Sequence, residues 1–251
     1  MRNLVIDIGN TNHKLAIFNG RELIHFQYAN TIGIEVVKEL ISKYEVKSSS
    51  VSSVGVAHNE LIAFLKSSTN FVPFLTTINL GVRNYYNTPE TLGLDRWAKV
   101  LAANYHFAGS ASFIIDAGTC ITYDLLNEKA EYFGGSISPG VGMRFAALNH
   151  YTERLPLLEW NPADTVIPDG RDTTTAIRNG VLQGVVNEVV GNISIQNKIN
   201  KGLNVLITGG DATFLLEQLK NSIFAPQIIH DPYLVLKGLN EVIAFEYVQK
   251  D

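Results

Sequence analysis

The sequence predicts an α/β protein made of two similar halves, each of βββαβα type, facing one another across a cleft. Three observations lead there. Short apolar runs alternate with stretches of helical periodicity along the chain. A strand-turn-strand segment at the N-terminus returns just after residue 110, and both copies carry, near the end of their first apolar run, an Asp two residues before a Gly. Set against about 150 residues for a typical domain, the length of 251 residues suits one large domain or two smaller ones packed together. With 46% hydrophobic and 18% charged residues the chain can bury a full core without disulfide or metal staples.

The elements follow in order. Residues 3–8 form an apolar run that stops at Gly9-Asn10-Thr11, and residues 14–18 resume it before Asn19-Gly20, a favoured hairpin turn. Residues 22–28 make a third strand. Apolar side chains at Ile34, Val37, Leu40, Ile41 and Tyr44 keep one helical face apolar over 32–44. A strand over 51–57, a short helix over 60–66 and an edge strand over 71–75, which contains Pro73, come next. Residues 81–91 read as loop and 92–105 as helix.

The second half opens with strands over 112–115, 121–126 and 130–133, then a glycine-rich junction from Gly134 to Gly140 and a helix from about Val141. A long helix over 173–197, a strand over 205–208, a helix over 212–219, a strand over 225–229 and a closing helix over 233–245 complete it. Alignment of the two openings pairs Asp7 with Asp116, Gly9 with Gly118 and Asn10 with Thr119. Chance similarity of two strand-turn-strand segments is the competing explanation. Duplication divides the chain into an N-terminal half, 1–110, and a C-terminal half, 111–251.

Composition narrows the partners. Twenty Lys and Arg against 24 Asp and Glu give a net charge of -4, with no basic run to track a phosphate backbone, so nucleic acid is not expected. The apolar N-terminal run is broken by Asp7 and is too short for a signal or spanning segment, so no membrane partner is expected. A single cysteine, Cys120, fits a reducing compartment and a cytoplasmic location. It reads as a structural thiol rather than a nucleophile. The six histidines show no paired ligand spacing, which argues against zinc.

The chemistry gathers at the glycine-rich junctions. At Asp7-Ile8-Gly9-Asn10-Thr11 a carboxylate leaves a buried strand where a glycine lets the backbone turn around a ligand. Asn10, Thr11 and Lys14 offer two neutral donors and a cation, and Asp7 suits Mg²⁺, directly or through water. A plain turn capped by Asp7 is the alternative. Asp116-Ala117-Gly118-Thr119 repeats the pattern, which suggests a phosphate tail held by both turns. Gly209-Gly210-Asp211 admits a base or ribose against the backbone, or is a helix start capped by Asp211. The absence of a G-x-x-x-x-G-K-[ST] motif disfavours a P-loop. Gly93-Leu94-Asp95-Arg96 supplies either a base with an anion clamp, beside Tyr85 and Tyr86, or a surface helix terminus.

These residues resemble the type III pantothenate kinases, a branch of the acetate kinase, sugar kinase, Hsp70 and actin superfamily. The resemblance runs through D-x-G-N-T-x-x-K at 7–14, P-E-x-L-G-x-D-R at 89–96, D-A-G-T at 116–119, G-G-x-I-x-P-G at 134–140, T-x-x-A-I-x-x-G at 173–180 and T-G-G-D-A at 208–212. It implies a duplicated ribonuclease H-like, actin-like ATPase fold. The activity it implies is phosphorylation of pantothenate to 4′-phosphopantothenate by ATP with Mg²⁺, the first step of coenzyme A synthesis. By the same resemblance, Asp7, Gly9, Asn10, Thr11, Lys14, Thr119, Gly209 and Gly210 belong to the nucleotide. Tyr86, Gly93, Leu94, Asp95, Arg96 and Thr173 belong to pantothenate, with Asp95 the proton acceptor and Asp116 the ligand of K⁺ or NH₄⁺. Thr173 would reach the substrate from the partner of a homodimer, through a dimerisation helix in the C-terminal half. Asp172 stands where the family pattern more often has Asn. A kinase for another small hydroxyl acceptor and a non-catalytic transcriptional accessory protein are the alternative functions.

Overall fold

The computed structural model describes residues 1–9, 13–53 and 58–248, and the chain divides into two compact units. The first comprises Met1–Ala108, Ala130–Phe133 and Tyr233–Asp251. Its sheet has the order β3-β2-β1-β4-β5, from β1 (Arg2–Ile8), β2 (His13–Asn19), β3 (Glu22–Ala29), β4 (Ser48–Ser53) and β5 (Asn70–Phe71). β1 runs antiparallel to β2 and parallel to β4. Helices α1 (Ile34–Tyr44) and α2 (Asn59–Ser68) bury Val37, Leu40, Leu61 and Leu65 against Leu4, Ile6, Leu15 and Val51.

Strand alternation turns Asn3, Val5 and Asp7 of β1, with Ser48, Ser50 and Ser52 beside them on β4, to the other face. There α7 (Leu234–Val248) lies on β1 and β4, and α3 (Leu94–His106) packs on α7. The two helices meet closely, since a Cβ on Gly238 would overlap the backbone of Ala98. Asn3 Nδ2 donates to Asn240 Oδ1 at 2.9 Å, and Arg21 forms a forked ion pair with the buried Glu241. These contacts tie the C-terminal helix to the first unit, although sequence position alone puts it in the second half.

The second unit comprises Gly109–Lys129 and Gly134–Pro232. Its strands are β7 (Ser112–Ala117), β8 (Cys120–Leu126), β9 (Glu131–Pro139), β10 (Asn204–Thr208) and β11 (Ile228–His230). Their order, β9-β8-β7-β10-β11, repeats that of the first unit strand for strand. β7 is antiparallel to β8 and parallel to β10, as β1 is to β2 and β4. Helices α4 (Val141–His150), α5 (Thr173–Ile199) and α6 (Ala212–Leu219) complete its core around Phe145, Val185, Ile207 and Phe214. β6 (Arg83–Asn84) pairs with Glu131 and Tyr132, the part of β9 that belongs to the first unit.

Several local expectations shift. The first hairpin turns at Gly20-Arg21, with Gly20 at φ +61°, because Asn19 is still paired to Glu22. β4 begins at Ser48 rather than 51, while 54–57 lie outside the described residues. The strand expected over 71–75 shrinks to Asn70–Phe71, and α3 starts at Leu94 because Pro89–Thr91 forms a separate 3-10 turn. The Gly134–Gly140 junction is not a loop: β9 runs through it to Pro139. Residues 225–227, which include Pro226, form a 3-10 turn, leaving β11 to start at Ile228. Among the described residues no helix is long and apolar enough to cross a membrane.

Candidate functional site

In the first unit Asp7 is buried at the end of β1 and pairs in register with Lys14 on β2, which is half-buried. The adjoining Gly9 is half-buried too, whereas Asn10 and Thr11 lie outside the described residues. The second group surrounds the start of α3. Trp97 Nε1 donates to the Ile78 carbonyl at 2.7 Å, and Asn104 Nδ2 to that of Leu80 at 3.2 Å, fastening the preceding loop to the helix. That loop carries Tyr86, whose ring lies parallel to Tyr132 and 5.7 Å from the Arg96 guanidinium carbon. Arg96 is only 5% exposed, so the segment is not the surface helix terminus that the sequence also allowed. Tyr85 points elsewhere, exposed and stacked on Phe133.

Asp95 is held by Lys99 in space that Gly93 leaves open. Its Oδ2 is 3.2 Å from the Lys99 ammonium one helical turn on, and its Oδ1 lies 2.7 Å from where a Cβ on Gly93 would be. Gly93, Leu94 and Asp95 are half-buried.

In the second unit three segments close around the turn after β7. Gly140 donates to the Thr119 carbonyl at 3.1 Å, and Asp211 N–H to that of Ala117 at 2.9 Å. Gly209 adopts φ +97°, and a Cβ there would meet the Ala117 carbonyl and lie 2.5 Å from Asp116 Oδ1, so only glycine lets the β10–α6 turn come this close. Burial, reinforced by the Asp116 charge, pushes Asp211 up to about 6. Asp211 makes no side-chain cap on α6, against the capping alternative. Thr119 and Gly210 are exposed, Asp116 half-buried. Cys120 is half-buried beside Met143.

Thr173 opens α5, exposed, behind an Asp172 N-cap that accepts from Thr175 N–H while Thr175 Oγ1 accepts from Asp172 N–H. Asp caps a helix about as well as Asn, so the substitution keeps the local structure. Thr173 lines an open cavity of about 830 Å³ between α4 and α5, with Leu148, Tyr151, Leu155, Ala176 and Gly180.

The sequence model of the type III pantothenate kinases matches residues 3–194, most of the chain. This chain belongs to that family. It is 40% identical to the type III pantothenate kinase of Bacteroides fragilis over 245 residues, covering 97% of this chain and 98% of the relative. With that of Christiangramia forsetii it shares 39% over 249 residues, covering 98% and 100%. Among solved structures, a conserved putative Baf family transcriptional activator from Campylobacter jejuni superposes with a TM-score of 0.60 at 22% identity, covering 98% of this chain and 99% of that one. A putative N-acetylmannosamine kinase from Listeria monocytogenes gives 0.54 at 16%, covering 98% and 100%. The likenesses to solved structures show the duplicated α/β fold, and family membership places the chain in the acetate kinase, Hsp70 and actin superfamily.

Asp7 Oδ1 is buried and accepts no hydrogen bond among the described residues, an oxygen suited to a hard cation or its water. The Asp116 and Asp211 carboxylates repel one another in a half-buried turn, which suits a positive charge beside them. Among the described residues no cluster of three or more His, Cys, Asp or Glu is preassembled for a metal.

Sequence reasoning missed two features. Lys99, fully buried, gave only the four-residue spacing from Asp95 as its signal. The other is a knot in the second unit, where Glu188 of α5 accepts from Tyr123 Oη at 2.8 Å, from Ser138 Oγ at 3.1 Å and from Arg144 of α4. Arg144 Nε also donates to the Pro139 carbonyl at 2.8 Å, fixing the residue just before Gly140.

Proposed function

We propose that this chain transfers the γ-phosphoryl group of ATP to the primary hydroxyl of pantothenate, with Asp95 accepting the hydroxyl proton. Family membership carries the activity, and the arrangement at the start of α3 supports the assignment of roles. As the pantothenate oxygen forms its bond to the γ-phosphorus, its proton passes to the Asp95 carboxylate. The bond from that phosphorus to the β–γ bridging oxygen breaks and ADP leaves. Phosphoryl transfer asks a protein mainly to align the attacking and leaving oxygens, so a carboxylate pinned by Lys99 matters more for its position than for its strength as a base. Tyr86 rather than Tyr85 is the pantothenate tyrosine, because its ring is half-buried beside Arg96. Arg96, Gly93 and Leu94 complete the acceptor side.

Asp7, Gly9, Asn10, Thr11, Lys14, Thr119, Gly209 and Gly210 serve the nucleotide. Mg²⁺ at Asp7, and K⁺ or NH₄⁺ at Asp116, would supply positive charge to the phosphate oxygens. A second copy of the chain, seated on the groove between α4 and α5, brings its Thr173 to the acceptor. The test is Asp95→Asn. It keeps the size of the side chain and removes the proton acceptor, so kcat should fall about 10²-fold or more while ATP affinity stays. Near-normal kcat in a folded variant would reject Asp95 as the base, and a pure wild-type chain that turns over no pantothenate would reject the activity.

A further inference from the structure

A fully buried lysine is costly. Removing an ammonium from water forfeits several kcal/mol unless charge and hydrogen bonds compensate, and lysine is among the residues least often found wholly inside. Lys99 is 0% exposed, yet it lies in the segment Trp97-Ala98-Lys99-Val100-Leu101, whose other members are all buried and apolar. An aliphatic residue would fit that environment at lower cost. The ammonium instead reaches back one turn to Asp95 Oδ2, at 3.2 Å. The geometry has a direction. Lys99 belongs to the rigid, buried side of α3, while the Asp95 side chain is 28% exposed, so the fixed partner is the lysine and the partner it orders is the carboxylate. The other oxygen, Oδ1, rests over Gly93, where any side chain would displace it. A short carboxylate near a helix start has several rotamers; Gly93 leaves room for this one and the bond to Lys99 selects it.

We propose that Lys99 is the positioning residue of this kinase: it holds the Asp95 carboxylate in one rotamer for the incoming pantothenate hydroxyl, and it acts on turnover only through Asp95. The inference rests on the proposed role of Asp95 and adds a residue that the motif around Asp95 does not contain. A lysine that merely stabilised α3 would affect turnover whether or not residue 95 could accept a proton. A lysine that positions the base has no further effect on turnover once the base is gone.

The experiment is a double-mutant cycle, with Lys99→Met in the wild-type and the Asp95→Asn backgrounds. Methionine keeps the length and apolar stem and removes the charge. kcat, KM for pantothenate and ATP affinity are measured for all four proteins, with a thermal melt of each. The expected result is a kcat loss of about tenfold or more from Lys99→Met in the wild type and less than about twofold in Asp95→Asn, the strong non-additivity of residues acting as one unit. ATP affinity should stay within about twofold throughout. Lys99→Gln, which keeps an N–H donor without the charge, is made in parallel in case the Met variant does not fold. Equal factors in both backgrounds, no loss in the wild type, or failure of both Lys99 variants to fold would each overturn the proposal and leave the proposed function standing. A wild type inactive on pantothenate would overturn both.

Discussion

Ser50 shows how a side chain's chemistry and its surroundings can disagree. It sits fully buried in β4, and its Oγ makes no hydrogen bond among the described residues, as do those of Ser48 and Ser52 on the same face. What the site needs is small volume, because α7 lies directly on that face. Ser50→Ala keeps the volume and deletes a desolvated hydroxyl, so it should raise stability by about 1 kcal/mol in urea unfolding. A loss of stability would mean that the hydroxyl has a partner. The same serines hide the start of β4 from pattern reading: six residues, five of them Ser, carry little strand signal, and the apolar signal begins only at Val51. Asp116 presents the opposite case. Its D-x-G spacing is visible in sequence, whereas its neighbour Asp211 depends on β7 pairing with β10, a contact between distant segments. If a monovalent cation offsets these two carboxylates, replacing K⁺ by Na⁺ at constant ionic strength should lower turnover. Equal rates in the two salts, with NH₄⁺ excluded, would remove that role from Asp116.

At the scale of elements, α5 is joined to β8, β9 and α4 through one side chain. Burial works to raise the pKa of Glu188, but the hydrogen bonds from Arg144, Tyr123 and Ser138 outweigh it and hold the carboxyl below its ordinary value. Burial, with the bond to Glu188, pushes the Tyr123 hydroxyl up, so it remains a neutral donor. A carboxyl whose folded pKa is depressed stabilises the fold above its unfolded pKa and loses that contribution as pH falls through the folded value. Glu188→Gln should therefore cost about 1 to 2 kcal/mol at neutral pH, less than a wholly buried pair because the group is partly exposed. The difference from wild type should shrink as the pH falls below the ordinary carboxylate range. A constant difference across the acid range would exclude the charge as the source. None of this was legible in sequence, since positions 123, 138, 144 and 188 share no motif. The elements themselves were largely legible, because periodicity is local. The closing helix was placed correctly along the chain, but only Asn3–Asn240 and Arg21–Glu241 reveal which unit it completes.

For the molecule as a whole, the repeated sheet order makes the internal repeat in sequence a physical duplication, and leaves association to be decided by surfaces. The apolar residues Ile177, Val181 and Val185 of α5 are buried in the core of their own unit, so they cannot by themselves recruit a partner. What remains is the groove between α4 and α5, where Tyr151 is 81% exposed beside Leu148, Leu155 and the exposed Ala176. A stable pair of chains hides about 800 Å² on each partner, with aromatic anchors near the centre, and Tyr151 is such an anchor in a mostly apolar groove. Sedimentation across a concentration series should show a persistent dimer. Tyr151→Asp and Ala176→Arg each place charge in that groove without touching a buried side chain, and should shift the chain towards monomer. If Thr173 completes the acceptor site of the other copy, pantothenate turnover should fall in step with the dimer fraction, and nucleotide affinity should not. A monomeric variant with full turnover would remove both the dimer requirement and the role of Thr173, whereas a dimer that resists both substitutions would place the interface on another face.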